Sequence, residues 1–351
     1  MYTLMNHRLL VAILSLLCAA AVRAQGDTAV LVQHQHVMFW NVENAFWPAD
    51  DPLTDDDEFT PQGTRHWTMS RLRQKLLQLT RVIVAAGDGR APMLVGLAEV
   101  EGDSVMEYWT RHTPLYDQHY RYVCTQGPDR RGIQTALLYQ LTDFRLISAR
   151  GHSVALPQGT RPTRQVLHAA GRLVSGDTLD VLVCHLPSQL GGARQSRPQR
   201  EAAHRTVMQL ADSITATRVR ANIIIMGDMN DTPSRRHRWW GSDYQNLMVE
   251  LQRSLHRHPS RFGSHKYQGE WSYLDQFIVS PSLVPSVANP NDTLSTLVTQ
   301  APSSFALPFM LTTDESHLGH RPRRSYYGYQ YEGGYSDHLP IVLPIDVIVR
   351  H

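Results

Sequence analysis

Nine apolar or alternating runs punctuate the chain, and six of them begin or end in residues a buried strand would not choose for itself. The runs are HVMFWNV (36–42), MLVGLAEV (93–100), YRYVCT (120–125), QTALLYQ (134–140), QVLHAAGRLV (165–174), TLDVLVCHL (178–186), NIIIMGDM (222–229), YLDQFIVS (273–280) and PIVLPIDVIV (340–349). Their period and content predict strands. Helical periodicity lies between them: Leu72, Leu76, Leu79 and Ile83 share one face of Ser70–Ala86, and Ala203, Val207, Leu210 and Ile214 share one face of Pro198–Arg218. Shorter helices are expected at Ser104–His112 and Asp243–His256. Many strands follow one another without a helix, which excludes a pure βαβ alternation. Two packed sheets with helices outside satisfy the pattern.

The polar residues at the strand ends are Asn41, Glu43 and Asn44; Glu99; His185; Asp228 and Asn230; Asp275; and Ser336, Asp337 and His338. Singly, each has a structural reading: a strand-end Asp or Asn makes a turn, Glu99 caps the helix near Ser104, and a lone His is satisfied by neighbours. Jointly they supply carboxylate, amide and imidazole groups from six strands with almost no Lys, which points to one site. Acidic and amide oxygens without a Cys/His cluster suit a hard divalent cation such as Mg²⁺, and they disfavour zinc. Two histidines and a spare Asp supply a base, an acid or oxyanion donor, and an orienting carboxylate. Attack of activated water on a phosphoester uses all of these parts.

Composition bounds the partners. The first 24 residues, with Arg8 ahead of the apolar Leu9–Val22 run and Val22-Arg23-Ala24 at its end, read as a secretory signal peptide cut near Ala24. Its removal takes Lys+Arg from 34 to 32, equal to the 32 Asp+Glu. A balanced mature chain lacks the basic excess of a general nucleic-acid binder. Cys124 and Cys184 end apolar runs and read as buried thiols. The expectation is a single domain over 25–351, periplasmic or secreted, with a long surface insertion at about 281–334.

In their order, FWNVEN (39–44), GLAEVEG (96–102), RGIQTALLY (131–139), VCHLPS (183–188), MGDMNDTPS (226–234), YLDQFIVS (273–280) and YSDHLPIV (335–342) resemble the endonuclease/exonuclease/phosphatase superfamily, the deoxyribonuclease I-like fold, in its exported bacterial form. The resemblance implies an α+β fold, a four-layer α/β/β/α sandwich of two packed mixed sheets flanked by helices. It implies Glu99 as principal metal ligand with Asn41 beside it and Asp337 and Glu43 nearby, Mg²⁺ as the ion and Mn²⁺ as the alternative. It also implies His338 as base or phosphorane stabiliser oriented by Asp275, Asp228 and Asn230 as orienting groups for water and phosphate, and His185 on the leaving-group side. Asn41, Asn230 and Arg131 approach the phosphate.

Departures from the family pattern are Gln134 where an Asp is common, and Gln276 and Phe277 after Asp275. The Trp-Cys-Asp-Arg run of inositol polyphosphate phosphatases is absent. SRRHRWWG (234–241) reads as a phosphate-binding and base-stacking loop or as a loop anchored by its tryptophans. RPRRSYYGYQYEGGY (321–335), tethered to Ser336–His338, reads as a substrate wall or a packed surface loop. The expected activity is an exported Mg²⁺-dependent phosphodiesterase, a nuclease acting on DNA or RNA fragments. Alternatives are a phosphatase or phosphodiesterase of small or lipid phosphoesters, and a non-catalytic binding module. No protein partner is inferred.

Overall fold

In a computed structural model the described residues are 30–87, 89–189, 191–233, 249–250, 262–284 and 296–350. In chain order β1 (Val30–Ala45), helix α1 (Met69–Ala85), β2 (Leu94–Val100), helix α2 (Asp103–His112), β3 (Tyr120–Cys124) and β4 (Gln134–Gln140) build the first half. They are followed by β5 (Phe144–His152), β6 (Val166–Leu173), β7 (Thr178–His185), helix α3 (Arg197–Thr217), β8 (Ile223–Asp228) and the two-residue β9 (Val249–Glu250). A hairpin of β10 (His265–Tyr267) and β11 (Glu270–Ser272) leads into β12 (Asp275–Val279). Short strands β13 (Leu297–Thr299), β14 (Ser303–Ser304), β15 (Leu311–Thr313), β16 (His320–Pro322), β17 (Tyr326–Tyr327) and β18 (Gln330–Tyr331) precede the long β19 (Ile341–Arg350).

One sheet runs β13-β19-β1-β2-β4-β3 with β14 also on β19; the other runs β5-β6-β7-β8-β12-β9. Val37, Phe39, Leu94 and Leu137 from the first sheet meet Val183, Ile224, Met226 and Phe277 from the second in a dry layer between them. The outer face of the first sheet is covered by α1 and α2 through Leu72, Leu76, Leu79, Ile83 and Trp109. The outer face of the second is covered by α3 through Ala203, Val207 and Ile214. The chain is therefore a four-layer α/β/β/α sandwich, its layers held by apolar side chains that each contribute about 1.5–3 kcal/mol on burial. Local signals agree with the layers: Thr68 caps α1 by accepting from Arg71 N at 3.3 Å, and Trp109 Nε1 donates to Thr80 Oγ1 at 2.8 Å, joining the two helices.

Two expectations change. Within the segment expected as a helix at Asp243–His256, Val249 and Glu250 pair antiparallel with Val279 and Ile278 at the sheet edge, and the remainder lies outside the described residues. The stretch expected as a surface insertion is partly structural. Its Leu297 enters the core between the sheets and its Met310 the core under α1, so β13 and β14 complete the first sheet rather than loop away from it. Cys124 and Cys184 form no disulfide; the first is half-buried and the second buried, as the apolar runs around them suggest. The N-terminal 24 residues and the 234–241 loop lie outside the described residues.

Candidate active site

The register of the second sheet assembles its share of the site. Parallel β7 and β8 set His185 beside Asp228, and antiparallel β12 sets Asp275 on the other side of Asp228. Gly227 makes this seam possible, because a Cβ there would lie 2.2 Å from the Cys184 carbonyl oxygen. After β8 the chain turns, with Asn230 N donating to Asp228 Oδ1 at 2.9 Å and Asn230 Nδ2 donating to Leu186 O at 2.9 Å.

The first sheet contributes through irregularities. The β1–β2 register shifts between Asn41 and Ala45, and the β2–β4 register shifts between Ala98 and Val100. These bulges put Glu43, Asn44 and Glu99 into left-handed backbone, with φ of 52°, 56° and 65°. The strained turn re-aims the side chains. Asn44 N donates to Glu99 Oε2 at 3.0 Å, Glu43 N donates to Asn41 Oδ1 at 3.1 Å, and Asn41 Nδ2 reaches across the sheets to Asp228 Oδ2 at 3.1 Å.

That Asp228 oxygen is the centre of the arrangement. His185 Nε2 stands 3.7 Å from it and His338 Nε2 3.8 Å. His338 is fixed on its far side by Asp275 Oδ2, 2.6 Å from Nδ1. Its backbone is fixed as well: Ser336 Oγ accepts from His338 N at 3.0 Å and donates to Asn41 O at 2.7 Å, and Trp40 Nε1 donates to His338 O at 2.9 Å. Arg131 hydrogen-bonds Asn44 Oδ1 and lies 3.7 Å from Glu99 Oε2.

The environments set different protonation states. Burial disfavours charge on His338, yet Asp275, then Asp228 and Asp337, hold its pKa well above the ordinary 6.5. Burial pushes His185 well below 6.5, and Arg164, Arg131 and His338 add to the effect. One imidazole is therefore cationic and the other neutral at neutral pH. Burial also lifts Asp228 to about 6, with Asp275 adding to it and His338 opposing.

The residues present fit a divalent ion at Glu99. His185 Nε2 stands 3.9 Å from its Oε1, and the Arg131 guanidinium stands 3.7 Å from its Oε2. Two sets bring ligand-type atoms within 4.8 Å of one another: Asp228 with Asp275 and His338, and His265 with Asp337 and His338. In both, His338 already carries its proton and bonds Asp275, so a metal would have to displace an ion pair. Glu99 is the better anchor.

The structure brings every residue expected from the sequence to one end of the sandwich, and it adds three more. Arg324 Nε donates to Glu43 Oε1 at 3.0 Å and Arg324 Nη2 to Asp337 Oδ2 at 2.9 Å. Buried Lys75 of α1 donates to Ser325 Oγ at 2.6 Å and to Tyr335 O at 2.9 Å. The His265 ring packs 4.7 Å from that of His338 and leaves its buried Nδ1 without a partner, with burial and His338 lowering its pKa to about 4. The run RPRRSYYGYQYEGGY pointed toward the site by leading into Ser336 without singling out Arg324; nothing local signalled Lys75 or His265. The two unusual glutamines brace loops: Gln276 Nε2 donates to Asp231 O at 2.7 Å, and Gln134 Oε1 accepts from Gly127 N at 2.8 Å.

A four-layer sandwich ending in buried acids, an Asp-oriented imidazole and a carboxylate open to a cation defines a metal-dependent phosphoester hydrolase. Residues 36–347 match the model of the Endonuclease/Exonuclease/phosphatase family, and the chain belongs to that family. The family is divalent-metal dependent, and the chain is an enzyme of this kind. Among solved structures it is similar to an endonuclease/exonuclease/phosphatase family protein from Bacteroides thetaiotaomicron, at 12% identity over 91% of this chain and 97% of that one, with TM-score 0.56. It is also similar to a humanized Danio rerio TDP2 (14% identity, 89% and 98% covered, TM-score 0.55) and to a mannosyl-6-phosphatase of B. thetaiotaomicron (12% identity, 89% and 99% covered, TM-score 0.53). Among curated proteins nothing matches. No helix among the described residues is long and apolar enough to cross a membrane.

Proposed function

We propose that the chain is an exported Mg²⁺-dependent phosphodiesterase that hydrolyses DNA or RNA strands, with Mn²⁺ as the alternative ion. The observation that carries this reading is the pair of imidazoles of unlike charge facing one Asp228 oxygen at 3.7 and 3.8 Å. A diester has a leaving oxygen that needs assistance opposite the attacking water, and a second histidine serves that side.

Glu99, with Asn41 beside it, would hold the ion, which when bound would supply Lewis-acid polarisation of the phosphate. Asp228, lifted to about 6, receives the water proton at Oδ2, and Asn230 N fixes the other oxygen of that carboxylate. Of the two roles the sequence leaves open for His338, its raised pKa favours stabilising charge on the phosphoryl oxygens through Nε2–H, with Asp275 holding the imidazolium at Nδ1. Neutral His185 acts as a hydrogen-bond donor to the leaving oxygen. Arg131 steadies the phosphate from the Asn44 side. The second reading, hydrolysis of small phosphoesters, is favoured by the balance of charge in the chain after residue 24.

The test is hydrolysis of plasmid DNA, RNA, bis(p-nitrophenyl) phosphate and p-nitrophenyl phosphate with Mg²⁺, Mn²⁺ or EDTA. Metal-dependent cleavage of the polymers and the diester is expected. Turnover of the monoester alone would replace the nuclease with a phosphatase. Mass spectrometry of the exported chain checks cleavage after Ala24.

A further inference from the structure

We infer that Arg324 is a built-in cation that occupies the place between Glu43 and Asp337, so that the site takes one divalent ion, on Glu99, and not two. The inference rests on the metal-dependent reading above and specifies its stoichiometry.

Charges at the site divide into two groups. Glu43 and Asp337 share the Arg324 guanidinium at 3.0 and 2.9 Å, and Glu43 Oε2 also accepts from Ser325 N at 2.7 Å. Lys75, beneath the same turn, brings a second positive charge through Ser325 and Tyr335. The two carboxylates thus share one guanidinium, with the Lys75 amine close beneath them. Asp275 is matched by His338. Glu99 is matched more loosely: it accepts from a backbone N–H, and its nearest guanidinium, that of Arg131, stands off at 3.7 Å. A carboxylate pair already satisfied by a guanidinium gives a divalent ion little to gain, whereas an open carboxylate gains much.

The segment that delivers Arg324 is built to stay in place. Arg65 lies 5.1 Å over the Tyr326 ring and 4.7 Å over the Tyr329 ring, and Arg71 lies 4.2 Å over Tyr331. Tyr326 Oη donates to Arg65 O at 2.7 Å, and Arg324 O accepts from Gly334 N at 3.0 Å. Arg324 is only about a third exposed. Its chain is therefore anchored at Arg324 and along the residues that follow it, as a permanent occupant requires and a mobile substrate clamp does not.

The experiment is Mn²⁺ titration of the purified chain, reading free Mn²⁺ by electron paramagnetic resonance, with thermal melting to verify folding. The wild-type chain should bind one Mn²⁺ per molecule. Arg324→Gln, which removes the charge, should bind a second, weaker ion that disappears in the Glu43→Gln/Arg324→Gln double variant. Arg324→Lys, which restores a charge, should return to one. Two ions on the wild-type chain, or one ion on a folded Arg324→Gln chain, would overturn the inference and leave metal dependence standing. No ion on the wild-type chain would overturn both.

Discussion

The imidazole of His338 and the carboxylate of Asp275 meet at 2.6 Å across a sequence separation of 63 residues, one entering β19 of the first sheet and the other opening β12 of the second. This contact ties the sheets together at the site and gives His338 its charge. Asp275→Asn should remove the largest influence that raises the His338 pKa. The alkaline limb of kcat/KM should then move to lower pH, with a rate loss of about 10²–10⁴-fold at neutral pH. A raised histidine pKa stabilises the fold fully below the unfolded value of 6.5, and the contribution is lost as pH rises through the folded value. The stability gap between wild type and variant should therefore be wide near pH ~6 and narrow at alkaline pH. Urea melts at both pH values check this; an unmoved alkaline limb would remove His338 from that role.

His185→Ala should discriminate between leaving groups. A neutral donor matters most when the departing oxygen is a poor leaving group, as a nucleoside alkoxide is, and least when it is p-nitrophenolate. Loss on DNA or RNA should exceed loss on bis(p-nitrophenyl) phosphate by about 10-fold or more. Equal losses on both would place His185 in binding or structure.

Gly227→Ala tests the seam between β7 and β8. The added methyl would meet the Cys184 backbone at 2.2 Å, so the strands must part or β8 must shift. A destabilisation of at least about 1–3 kcal/mol is expected, read from the denaturation midpoint. Activity should fall further than stability accounts for, because Asp228 is the next residue.

Glu101 offers a pH-dependent stability change away from the proton-transfer groups. Burial raises its carboxyl to about 8, with Asp56 and Asp51 contributing, although Trp47 N hydrogen-bonds it. For a carboxyl raised in the folded state, stability falls as pH climbs from its unfolded value of 4.5 toward 8. Glu101→Gln should raise the melting temperature above pH 8 and leave it nearly unchanged near pH ~5. Equal shifts at both pH values would contradict the assignment.

Much of this site was legible because its residues sit at the ends of strongly apolar runs. Asp228 after Ile223–Gly227, His185 after Val181–Cys184 and Asp275 before Gln276–Val279 are placed by strand register alone. Arg324, Lys75 and His265 were not legible as site residues. Arg324 arrives on an irregular segment, Lys75 projects from a helix whose pattern marks only its apolar face, and His265 comes from a three-residue strand. Their approach is set by packing between parts distant in sequence. The same physics explains Val249–Glu250: a two-residue edge pairing leaves no period to read, and tertiary contact overrides local preference.

The left-handed backbone at Glu43, Asn44, Glu99 and Asn230 carries a consequence for laboratory evolution. Each position holds a side chain where glycine would relax the main chain, a strain of order 1 kcal/mol or more apiece. Libraries screened for heat resistance alone should accumulate glycine there and lose turnover while the scaffold hardens. Such a selection would separate the sandwich from its chemistry without touching the layers that hold it together.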